Sequence, residues 1–119
     1  MKGWKDKAQE DLSRADIAHL AGNEGLARVC ARRAAGWAAG ALLEKENYSN
    51  LRKTAFENIL ELSNYKKENK RIVELCEHLT ASLKKDAHKE ITHLPENVDL
   101  LADARELIKI LFPQFSESS

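Results

Sequence analysis

Nine of the fifteen residues from Ala27 to Ala41 are alanine or glycine, and Gly36 and Gly40 fall inside an unbroken helical pattern. A glycine in a helix interior costs about 1 kcal/mol relative to alanine. A segment that keeps two of them needs the backbone of another helix close by. Small-residue spacing of this kind is best attested between membrane helices. The longest stretch without a formal charge, residues 34–43, is only ten residues long, whereas a membrane span needs ~18 or more. The segment therefore reads as the tightly packed helix of a bundle that does not cross a membrane.

Four further stretches carry helical periodicity. The first runs from about Trp4 to Leu20, where Trp4, Ala8, Leu12, Ala15 and Ala18 recur at three and four and Lys5, Asp6, Glu10 and Asp11 fall mostly opposite. Ala21-Gly22-Asn23 ends it, with Gly22 as terminator and Asn23 as cap of the next helix. The small-residue helix is expected from about Glu24 to Glu46, with Leu26, Cys30, Ala34, Trp37 and Ala41 as its stripe and Trp37 as the bulky anchor. Ser49 or Asn50 is the expected cap of a third helix, whose apolar face is Leu51, Ala55, Ile59 and Leu62. Residues 63–70, SNYKKENK, break the pattern, and a fourth helix follows over 71–83. Residues 84–95 read as a polar loop. A last helix begins near Glu96 or Asn97, just after Pro95, and Pro113 stops it, leaving residues 114–119 as a frayed tail. No strand pattern and no internal repeat occurs. The expected fold is all-α: one domain over residues 1–119, an up-and-down bundle of four to five helices, mostly antiparallel with short connections.

The chain has 119 residues, enough to bury roughly two-thirds of its unfolded surface without help from a metal or a disulfide. Nineteen lysines and arginines balance nineteen aspartates and glutamates. That balance argues against non-specific nucleic-acid backbone binding and leaves room for a local basic patch. The N-terminal MKGWKDKAQEDL lacks the apolar run of a secretory signal. Both cysteines, Cys30 and Cys76, lie inside apolar helical patterns and are expected as buried free thiols. A cytoplasmic setting follows as the simplest expectation.

Three constellations bear on chemistry. Glu90-Ile-Thr-His93, with His88 nearby, has the Glu-x-x-His spacing of di-iron bundles, but those need two such motifs and two further inward glutamates. No metal and no cofactor is expected. The cysteines sit among Leu26, Ala34, Ile72 and Leu79, surroundings that raise a thiol pKa and hide the sulfur. Arg14 with His19, and Arg71 with His78, have the composition of a metal-independent ribonuclease pair, His as acid or base and Arg on the phosphorane. With four His and seven Arg in the chain, such spacing also arises by coincidence. The strongest binding signal is Arg28, Arg32 and Arg33 beside Gly36 and Gly40, three guanidiniums along a small-residue groove suited to phosphate or a partner carboxylate. The competing reading pairs Arg28 with Glu24 and holds Arg33 on a carboxylate such as Asp11 or Asp103.

The run Trp4…Ala8…Asp11-Leu12…Ala15, then Gly22-Asn23-Glu24-Gly25, then Ala27-Arg28-Val29-Cys30-Ala31-Arg32-Arg33-Ala34-Ala35-Gly36, resembles the first two helices of HEPN domains (higher-eukaryote and prokaryote nucleotide-binding). The segment from Leu94 to Arg105 resembles the last helix of a small bacterial branch carrying that arginine-rich signature. Roughly half the chain is covered. The resemblance implies a helical bundle, often a homodimer. Some members are ribonucleases, some are toxin–antitoxin mates of a minimal nucleotidyltransferase, and some are binding modules. The expectation for this chain is a non-enzymatic module that dimerises and binds a protein partner, a nucleotide or an RNA phosphate through Arg28, Arg32, Arg33 and Gly36. The alternatives are a ribonuclease using Arg71 and His78, and a structural subunit of a larger assembly. Arg71 is followed by Ile72, where the ribonuclease pattern has a polar residue.

Overall fold

The Asn23 side chain accepts the backbone N–H of Leu26 at 3.1 Å and so opens the small-residue helix. Just before it, Gly22 takes a left-handed φ of 81°, the conformation glycine adopts most easily, and the preceding helix ends there. A computed structural model describes residues 3–48, 54–88 and 99–117, apart from the side chains of residues 82–88. The described residues form five helices, α1 (Trp4–Leu20), α2 (Glu24–Lys45), α3 (Ala55–Tyr65), α4 (Lys70–His88) and α5 (Leu100–Leu111), and no strand.

The small-residue helix is the hub. α2 packs against all four other helices, and eleven of its 22 residues are buried. Only small side chains let one helix be approached from so many directions, and this is the physical reason for the alanine-rich run. Gly36 shows the limit: a Cβ there would stand 2.4 Å from the Cβ of Ala55 and 2.6 Å from its Cα. At Gly40 a Cβ would stand 2.7 Å from the amide nitrogen of Asn58. The close approach expected from the two glycines is therefore made by α3.

Around α2 the order is α1, α5, α4, α3, each touching the next, while α1 and α3 do not meet. Among the described residues the ring is open on that side. The packing of Ala55 at Gly36 and of Tyr65 on Glu46 shows that α3 runs in the same direction as α2, one exception to the mostly antiparallel expectation. Arg71 on Glu106 and His78 on Asp103 set α4 antiparallel to α5. The core is built from Leu12, Ile59, Leu62, Leu75, Leu79, Leu107 and Ile108 around the α2 alanines.

Several sequence expectations are corrected. Thr54, not Ser49 or Asn50, caps α3, in a capping box with Glu57; Ser49 and Asn50 lie outside the described residues. The polar run from Lys84 does not begin a loop, because α4 continues to His88. The start near Glu96 or Asn97 also lies outside the described residues, and α5 opens at Leu100 with Asp99 as cap, its side chain accepting from two backbone N–H groups. The tail is not frayed through residue 117. Phe115 is buried, its ring stacks on Trp4 at 5.8 Å, and Phe112 meets the same indole at 4.5 Å. Lys109 Nζ donates to the Phe115 carbonyl at 2.8 Å, and Arg105 holds Glu117 at 2.8 Å. The break at residues 63–70 is real: α3 ends at Tyr65 and α4 starts at Lys70.

Candidate binding groove on the central helix

Asp11 is the buried charge of the molecule's open side. The first helix was expected to carry it on the polar face, yet it is 1% exposed. Its sequence position gives the reason: Trp4, Ala8, Asp11, Ala15 and Ala18 follow one another at four and three, so Asp11 stands within the stripe that faces α2. That spacing is the signal for its burial. A buried carboxylate requires partners, and three surround it. Trp37 Nε1 donates to Oδ2 at 2.9 Å, Arg14 Nη1 donates to Oδ1 at 3.4 Å, and Arg33 Nε lies 3.6 Å from Oδ2. Lys7 adds a third cation, its Nζ 4.6 Å from the centre of the Trp37 ring. The Arg14 and Arg33 side chains stay 58% and 52% exposed, so each keeps guanidinium N–H groups facing water.

Beside this cluster lies a cavity of about 230 Å³, lined by Arg33, Gly36, Trp37, Thr54, Ala55 and Asn58. Its walls come from α2 and the first turns of α3. Asn58 donates to the Gly36 carbonyl at 3.3 Å, which ties that wall to the glycine. The cavity opens on the side where α1 and α3 fail to meet.

The three arginines read as one cluster are divided among three surroundings. Arg33 joins Gly36 at the groove, held by Asp11 as one of the two carboxylates expected for it; the other, Asp103, pairs with His78. Arg32 is buried, and its Nε donates to the Leu79 carbonyl of α4 at 2.8 Å. Arg28 is exposed near the N-terminus of α5, lining a different cavity with His19, Glu24 and Asp99. Glu24 does not serve Arg28 as expected, because its carboxylate meets His19 Nδ1 at 2.7 Å. Leu26, placed in the buried stripe by periodicity, is 48% exposed.

The two candidate ribonuclease pairs fare differently. Arg14 and His19 take separate partners, Asp11 and Glu24. Arg71 and His78 both project from α4 toward α5. Arg71 forks onto both oxygens of Glu106 at 2.6 Å and onto Glu74 at 2.6 Å. The hydrogen bonds from Arg71 hold the Glu106 carboxyl below its ordinary range. His78 Nδ1 stands 2.8 Å from Asp103 Oδ2 in a half-buried pair. Glu90 and His93 lie outside the described residues, and among those described no group of three or more metal-ligating side chains occurs. Both cysteines are buried and free; burial pushes the Cys76 thiol up to about 12 and raises Cys30 as well. A larger cavity of about 570 Å³ lies between α5 and the tail, but its cations are committed, Arg105 to Asp16 and Glu117 and Lys109 to the Phe115 carbonyl.

No protein-family model matches the chain, and no curated protein or solved structure matches it. No helix among the described residues is long and apolar enough to cross a membrane.

Proposed function

We propose that this chain is a non-enzymatic helical interaction module of HEPN type. In this reading it dimerises and receives an anionic group, a partner carboxylate or a nucleotide or RNA phosphate, at Arg33. The observation that supports the reading is Arg33 itself: it lines the Gly36–Trp37 cavity, its side chain is 52% exposed, and it shares the buried Asp11 carboxylate with Arg14 and Trp37. An arginine that shares a buried carboxylate at 3.6 Å keeps further guanidinium N–H donors for a second anion. Guanidinium edges bind planar or tetrahedral anions through paired N–H donors. Of the residues that the sequence singled out, Arg33 and Gly36 carry the site, Arg32 holds α2 to α4, and Arg28 stands apart. The test is a titration of ADP and of a uridine oligonucleotide, followed by Trp37 fluorescence in a Trp4→Phe background. Arg33→Ala is expected to weaken binding by about 10-fold, and Arg28→Ala to leave it unchanged. Loss of equal size in both variants, or in neither, refutes the assignment.

A second reading keeps the ribonuclease, and one observation favours it. Asp103 accepts from His78 Nδ1, which fixes the tautomer and leaves Nε2 for proton transfer. Against it, Arg71 is already held by two carboxylates. RNA decay on expression, abolished by His78→Ala, is the outcome that favours this reading over the first.

A further inference from the structure

Of the helix pairs that close the ring around α2, α1 and α5 are the least tightly packed, and the end of the chain lies against both. Pro113 follows the last turn of α5 and has no N–H to tie the chain to it. The chain then runs back along the helix, with Phe115 beside Lys109 and Glu117 one turn further back beside Arg105. Three side chains hold it. The Trp4 indole of α1 stacks on the Phe115 ring at an interplanar angle of 18°. Lys109 donates to the Phe115 carbonyl. Arg105 donates Nε and Nη2 to the two oxygens of Glu117 at 2.8 and 2.9 Å, and turns Nη1 and Nη2 to Asp16 of α1 at 3.2 and 2.7 Å. Glu106, a further carboxylate beside the tail, is taken by Arg71. Pro113, Gln114 and Ser116 are exposed, so the hold falls on an aromatic ring, its own carbonyl and a carboxylate two residues on. None of these contacts uses the covalent link through Pro113.

We propose that α1 and α5 form a docking seat for an extended segment of a partner protein, one that carries an aromatic residue followed two positions on by Asp or Glu, and that residues 113–117 are a strap holding this seat closed. The strap displays the chemistry that the seat takes. Its hold is light: one buried ring, one bond to a carbonyl, and an ion pair whose two side chains are each 33% exposed. Segments held by so few buried contacts open at the low end of the local-unfolding scale. A cavity of about 570 Å³ remains between the strap and α5, with Ile110 in its wall, so a longer segment finds apolar surface that the strap leaves uncovered. When the strap lifts, the Nε edge of Arg105 and the Lys109 ammonium lose their acceptors together, and Trp4 loses a stacked ring. An incoming segment restores all three, the arginine through a bidentate carboxylate contact. The seat is separate from Arg33 and stands independently of the anion-binding reading there.

The test uses the whole chain and a synthetic peptide with the sequence of residues 113–117, amidated at its end, followed by the NMR signal of the Trp4 indole N–H. The tethered strap competes at an effective concentration on the order of millimolar. The peptide is therefore expected to move the Trp4 signal of an open variant, Phe115→Ser with Glu117→Ser, at a concentration about 10-fold below that needed for the parent. Glu117→Gln, which leaves the ring in place, is expected to shift the titration the same way by less, and it carries the comparison if circular dichroism shows the double variant unfolded. A peptide with Gln in place of its Glu is expected to bind the open variant about 10-fold more weakly. Adding Arg105→Gln is expected to erase that difference. The proposal is overturned if the Trp4 signal of the open variant stays in place at about 10 mM peptide, well above the strap's effective concentration. It is overturned equally if parent and open variant respond at the same concentration, or if the Glu and Gln peptides bind alike. A parent dimer in sedimentation equilibrium that the open variant loses assigns the seat to a second copy of the chain and overturns the partner segment.

Discussion

Trp37 donates its indole N–H to Asp11 across the α1–α2 interface at 2.9 Å, and the same oxygen faces Arg33 at 3.6 Å. One buried carboxylate thus orients both the aromatic and the cationic wall of the groove.

Asp11→Ala is expected to cost about 2 kcal/mol, chiefly because the Trp37 N–H loses its acceptor in a half-buried site. The two arginines re-solvate, since both are more than half exposed. Asp11→Asn keeps an acceptor for Trp37 and is expected to cost about half as much. Urea unfolding read by Trp37 fluorescence in the Trp4→Phe background measures both, and equal costs would show that charge, not the indole bond, carries the effect.

The two helix glycines are expected to respond differently to alanine. At Gly36 the new methyl meets backbone and Cβ of Ala55 below 3 Å, so α3 has to move away. The loss, about 1–3 kcal/mol, outweighs the gain in helix propensity. At Gly40 the obstacle is the end of the Asn58 side chain, which swings aside at the expense of its bond to the Gly36 carbonyl. Gly40→Ala is therefore expected to lie within about 1 kcal/mol of the parent. Thermal melts of the two variants side by side decide it.

Acid is expected to loosen the α1–α5 and α4–α5 seams first. The hydrogen bond from Arg105 lowers the Asp16 pKa, and that from Arg71 lowers the Glu106 pKa. A carboxyl with a depressed folded-state pKa contributes stability at pH values above its unfolded pKa, and that contribution is lost as pH falls through the folded value. The stability of the parent should therefore fall with pH below the ordinary carboxylate range, about pH 4. The double variant Arg71→Ala, Arg105→Ala should be less stable at pH 7 and show a shallower fall between about pH 5 and pH 2. Identical slopes in the two proteins would remove these pairs as the cause.

The end of the chain is expected to contribute to stability. Phe115 is buried against Trp4, so Phe115→Ala should cost about 2–3 kcal/mol, toward the lower end for a large aromatic because the site lies at the edge of the core. It should also shift Trp4 emission to longer wavelength, read in a Trp37→Phe background. A variant with unchanged stability and emission would mean that the strap does not hold in solution.

Helix positions were largely written in the sequence. The 3.6-residue periodicity located α1 and α2 to within a residue, and Asn23 and Gly22 marked their junction, because capping and left-handed backbone are local chemistry. The glycines also announced a close neighbour. Which neighbour it was, and that α3 would run parallel to α2, depended on contacts twenty residues apart that no local pattern encodes. Periodicity likewise gave each helix one buried face. α2 has several, because four helices surround it, and the side left open is set only by the failure of α1 and α3 to meet. That is why Leu26 reads as core and is exposed, and why Asp11 reads as surface and is buried. The arginine run was legible as a run. Residues one position apart on a helix point about 100° apart, so Arg32 turns to the α4 carbonyl and Arg33 to the groove. The sequence by itself determined the helices, the α1–α2 junction and the small-residue axis, since these follow from backbone and side-chain preferences over a few residues. Tertiary packing alone decided which arginine is buried against α4 and which stays half exposed beside a cavity, because that depends on what each helix face meets in space.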